Sequence, residues 1–114
     1  MTALYRMGVA ALLLTSLQLV PNHAAAQLFA ADIATGEQLA VRWCASCHLV
    51  KADQVRANAD APSFRTIALM ADFSADRTAV FLMSPHPKMP SYSLSRFEAQ
   101  AIASYIESLA KPDR

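Results

Sequence analysis

Residues 44–48 read Cys-Ala-Ser-Cys-His, and these five positions restrict the possible folds of the chain more than any others. Two thiols three positions apart, followed at once by an imidazole, form the C-x-x-C-H pattern of a covalent c-type haem attachment site. Residues i and i+3 lie on one side of a helical turn, so both sulfurs can reach the two vinyl groups along one porphyrin edge and form thioethers. His48 is then held under the ring as the proximal iron ligand. Cys44, Cys47 and His48 together therefore point to one covalently bound haem c.

Simpler readings of the cysteines explain less. A redox-active C-x-x-C pair accompanies βαβ alternation, of which the sequence has none. Structural zinc takes four Cys or His ligands, and outside the motif and the N-terminal segment only His86 remains. A structural disulfide across so short a loop would constrain the unfolded chain little.

The chain has 114 residues, enough for one domain. Arg6 is the only charge before a largely apolar run from Met7 to Val20, and Ala24-Ala25-Ala26 offers a small-x-small cleavage site ahead of Gln27. Residues 1–26 read as a secretory signal peptide, which predicts export to the periplasm. The apolar run is about half the length of a spanning helix, and no cysteine near the cleavage point suggests a lipid anchor. Without Arg6, basic and acidic residues are equal in number, so nothing recommends nucleic acid as a partner. Contact with a membrane is expected only transiently, through partner proteins. A domain of residues 27–114 buries a limited core and needs a staple, which a haem provides.

Along that domain, Asp32 can cap a first helix with Ile33, Gly36, Ala40 and Trp43 on one stripe that ends at the motif. Glycine inside a helix is about 1 kcal/mol worse than alanine, so Gly36 marks a close approach of another backbone. The last helix is the expected partner. There Ser95 and Glu98 form a capping box, and Ile102, Tyr105, Ile106 and Leu109 form an apolar face before Lys111-Pro112.

Leu49 to Ala61 is polar and reads as a loop, broken by Ala61-Pro62-Ser63. Short helices are predicted from about Ser63 to Met70 and from about Ser74 to Met83, the second with Val80, Phe81 and Met83 as its apolar candidates. No stretch alternates with period two, so no sheet is predicted. Pro85, Pro87 and Pro90 make the segment from Ser84 a stiff, non-helical loop.

The sixth iron position has four possible donors: Met70, Met83, Met89 and His86. Met70 and Met83 lie on apolar helical stretches and read as core fillers. Met89 sits between prolines, which limit the entropy lost when its thioether is pinned, and is the preferred ligand. His86, in the same loop, is the rival and reads as a solvent-facing histidine.

From about Asp32 to Leu109 the chain resembles the small class I bacterial cytochromes c, with C-x-x-C-H early, a proline after it, Met-Pro late and a final amphipathic helix. The resemblance implies an all-α fold of three to five helices wrapped around one covalent haem, with the first and last helices crossing. It makes residues 27–114 a cytochrome c domain and Met89 the distal ligand. It also gives Pro62 the carbonyl that accepts the His48 ring N–H, a bond that orients the imidazole and raises its basicity. Gly36 falls at the helix crossing with Ile102 and Tyr105. Ala61 stands where the family usually has glycine and Ala40 where it often has an aromatic, whose space Trp43 is placed to fill.

With His48 and Met89 on the iron, the expected function is periplasmic one-electron transfer between redox partner proteins, without enzymatic turnover. Two alternatives remain: a cytochrome subunit of a periplasmic dehydrogenase complex, and a five-coordinate haem sensor or peroxidase.

Overall fold

The computed structural model describes residues 23–57, 60–84 and 89–111, with side chains from Asp32 onward. Among these residues there are four α-helices and no strand: α1 (His23–Trp43), α2 (Phe64–Ala68), α3 (Ala75–Leu82) and α4 (Arg96–Ser108). Most of the predicted signal segment, and with it the Arg6 and Met7–Val20 pattern, lies outside the described residues. None of the described helices is long and apolar enough to cross a membrane.

Helix α4 is the hub, packing against α1, α2 and α3. Its sequence explains why. Ser95 accepts the Glu98 backbone N–H at 3.2 Å, while its own backbone N–H donates to Glu98 Oε2 at 2.8 Å, completing the predicted capping box. From there Ala99 and every residue from Ala101 to Ile106 is buried. Ile102, Tyr105 and Ile106 meet Ala40, Val50, Phe64 and Ala68 in the main core, whereas the small Ala99 and Ala103 let α3 approach closely at Ala79.

The crossing of α1 and α4 falls at Gly36, as the sequence requires. A Cβ at this position would overlap the Ala101 carbonyl oxygen, lie 2.5 Å from its carbonyl carbon and 2.9 Å from Tyr105 Cβ. The backbone in contact is that of Ala101, one residue before the expected Ile102. Ala40 is fully buried, and Trp43 packs against the same cluster with its ring 5.2 Å from that of Tyr92.

Two expectations need correction. Asp32 does not start the first helix, because α1 already runs from His23 through Ala24-Ala25-Ala26-Gln27, where no breaker intervenes. Val80, Phe81 and Met83 are not the buried side of α3: they are 60%, 51% and 39% exposed, and Ala79 is the buried residue. The short helices otherwise start where expected, with the Ser63 and Ser74 side chains accepting the N–H groups of Thr66 and Arg77.

Candidate functional site

At the end of α1 the backbone continues as a hydrogen-bonded turn through the cysteine motif. Cys44 N–H still donates to Ala40 at 2.8 Å, and the N–H groups of Cys47 and His48 both donate to the Cys44 carbonyl, at 3.0 and 2.9 Å. This turn brings both thiols and the imidazole to the wall of one cavity of about 1040 Å³.

The three motif side chains differ in surroundings. Cys44 is buried, and loss of hydration, with a smaller effect of neighbouring Cys47, pushes its thiol up to about 11. Cys47 is half-buried. His48 is buried beside Phe64, ring centroids 5.4 Å apart, and its Nδ1 lies 2.7 Å from the Pro62 carbonyl oxygen. A carbonyl can only accept, so Nδ1 carries the proton and Nε2 keeps the lone pair that can bind a metal.

Pro62 reaches this position because the intervening loop is tied down. Phe64 N–H donates to the Leu49 carbonyl at 2.9 Å, and the buried Tyr105 hydroxyl donates to that of Val50 at 2.8 Å. Desolvation, followed by the nearby Glu37 carboxylate, raises the Tyr105 pKa and keeps the donor protonated. On the surface of the same loop Lys51 pairs with Glu37 at 2.9 Å.

Ile67, Phe73, Phe81, Leu82 and Ile106 supply much of the apolar wall of the cavity. Met89, half-buried, borders the same cavity as His48. So does Met70, which is 47% exposed and therefore not the core filler it resembled. Met83 does not line it. His86 and the loop residues from Pro85 to Lys88 lie outside the described residues.

Two thiols on one turn, an imidazole with a free Nε2, a thioether and a wide apolar wall suit a large planar cofactor bound covalently and through its metal. Arg77, whose guanidinium donates to the Asp72 carbonyl, adds a cation to the cavity wall. Sequence reasoning gives no sign of Arg77 or Gln54. Gln54 is a half-buried loop residue with four hydrogen bonds, and no local pattern announces it.

A family model described as Cytochrome c matches residues 33–110. Among curated proteins, a Cytochrome c-552 from Bradyrhizobium diazoefficiens is 58% identical over 80 residues, covering 70% of this chain and 77% of that protein. No solved structure gives a significant match.

Proposed function

The chain belongs to the cytochrome c family, and from that premise we propose that it is a periplasmic one-electron carrier with His48 and Met89 as the axial pair. Membership brings one haem c, bound covalently through Cys44 and Cys47, and a role in electron transport. The haem supplies one-electron exchange between ferric and ferrous iron.

The observation that carries the finer reading is that His48 and Met89 border one cavity, with His48 Nδ1 already committed to Pro62. Nε2 is the nitrogen left for the iron, and the Pro62 bond orients the ring and makes it a stronger donor. The Met89 thioether favours the ferrous state relative to a second histidine. Held by both side chains, the iron would offer oxygen and peroxide no open site. Electron transfer in brief encounters with partner proteins, through small interfaces, is the work that remains. The N-terminal pattern of Arg6, the apolar run and Ala24-Ala25-Ala26 supports export.

Spectroscopy of Met89→Ala tests the ligand pair. The variant is expected to lose the sulfur-to-iron charge-transfer band, to show a lower reduction potential and to bind carbon monoxide in the ferrous state. His86→Ala is expected to leave all three unchanged. If His86→Ala opens the iron while Met89→Ala keeps the band, the pair is bis-histidine. Ready carbon monoxide binding by the wild-type ferrous protein would favour the sensor or peroxidase reading instead.

A further inference from the structure

One carboxamide organises the chain that leaves the haem motif. Gln54 Oε1 accepts the Val50 backbone N–H at 2.9 Å, and Nε2 donates to the carbonyls of Ala45, His48 and Arg56 at 2.9, 2.8 and 2.7 Å. An amide nitrogen has two protons, so three carbonyls share them. The orientation follows from the partners. Turned by half a revolution, the amide would set its oxygen against three carbonyl oxygens and its NH2 group against an N–H.

Two of those carbonyls belong to the haem motif itself, at Ala45 and His48, and the third lies beyond the turn, at Arg56. Gln54 therefore closes residues 45–56 upon themselves. The chain must make this turn before Pro62 can present its carbonyl to His48 Nδ1 and Phe64 can donate to Leu49. No other side-chain group in this loop reaches both ends of the turn among the described hydrogen bonds.

We propose that Gln54 is a positioning residue for the haem: it fixes the exit of the chain from the motif and thereby sets the strength of the His48 Nδ1–H bond to Pro62. The proposal rests on His48 being the proximal ligand. A hydrogen bond at Nδ1 makes a ligating imidazole more basic and favours ferric iron. Loosening it therefore raises the reduction potential.

The test uses the haem-loaded protein and reads the His48 ring by NMR in the diamagnetic ferrous state. Gln54→Leu removes both halves of the amide and is expected to speed exchange of the Nδ1 proton roughly tenfold, the equivalent of about one ordinary hydrogen bond. It should also move that proton's resonance upfield and raise the potential. Gln54→Glu keeps an acceptor for Val50 but loses the donors, and should shift proton exchange and resonance in the same direction, the potential being read on the uncharged variants. If the leucine variant does not fold, Gln54→Asn, with the same polar atoms on a shorter stem, should show smaller shifts of the same sign. Lys51→Ala, which breaks only the surface pair with Glu37, should match wild type.

A lower melting temperature with unchanged His48 proton exchange, resonance and potential would make Gln54 a loop staple alone and overturn the proposal. Wild-type protein whose His48 ring protons lack the large haem ring-current shift would overturn the ligand assignment, and the proposal with it.

Discussion

On the His48 side of the cavity the chain is held by the chain. Pro62, Leu49 and Val50 each present a carbonyl to a specific donor, Gln54 gathers four backbone groups, and the buried Tyr105 anchors the loop to α4. Other parts of the cavity lining are built differently: Met70 and Phe81 border it about half exposed, and Met89 arrives from a loop rather than a helix. Such apolar side chains have no polar geometry to satisfy and gain burial only when something apolar fills the space. The tied part of the lining would position a cofactor, and the apolar part would be completed by one.

The largest expected effect comes from taking the cofactor away. Cys44→Ala combined with Cys47→Ala removes covalent attachment and, on the proposed ligation, the surface against which Met89 would pack. Folding of a domain this small amounts to about 5–10 kcal/mol, and haem binding contributes to it directly. We expect a largely unfolded apoprotein without a cooperative thermal transition. Circular dichroism showing an unchanged helical fold with a sharp melt would erase the distinction between the two parts of the lining, since both would then stand on protein contacts alone.

The second test strikes the α1–α4 crossing, which rests on protein contacts. Gly36→Ala gains about 1 kcal/mol of helix propensity, but its methyl group would overlap the Ala101 carbonyl. Because the obstacle is backbone, α1 and α4 must separate, and overpacking of this kind costs roughly 1–3 kcal/mol, occasionally more. The overlap wins, and we expect the holoprotein to lose about 2 kcal/mol in denaturant unfolding while its haem spectrum is retained. A spectrum altered as much as the stability would mean that the crossing and the ligand field are one unit. Stability equal to or above wild type would show that the helices can part at no cost.

The same contrast explains what could be read in the sequence. Cys44, Cys47 and His48 carry their chemistry in their spacing, and Ser95 with Glu98 or Gly36 with the last helix reflect local rules that tertiary structure then obeys. Asp32 misled because a capping residue ends a helix only if the residues before it resist helix, and Ala24 to Gln27 do not. Val80 and Phe81 misled for another reason: periodicity reports an apolar face but not whether protein, cofactor or solvent lies opposite. The role of Gln54 depends on carbonyls at positions 45, 48 and 56, and carbonyls are common to every residue, so no side-chain pattern could reveal it.

The smallest effect is expected at the start of the hub helix. Glu98 Oε2 receives the Ser95 backbone N–H and the Ser95 hydroxyl, both at 2.8 Å. These two bonds, the backbone one foremost, hold the carboxyl below its ordinary pKa. A carboxyl with a lower pKa in the folded than in the unfolded state contributes stability that is complete above the ordinary carboxylate range and fades as the pH falls through the folded value. Gln at 98 still offers an oxygen to Ser95 but does not titrate. The difference in unfolding midpoint between wild type and Glu98→Gln is therefore expected to be small and in favour of wild type at neutral pH, and to shrink on acidification. A difference that stays constant across that range would show that the cap works through hydrogen-bond geometry alone, and that the charge adds nothing to this clamp at the start of α4.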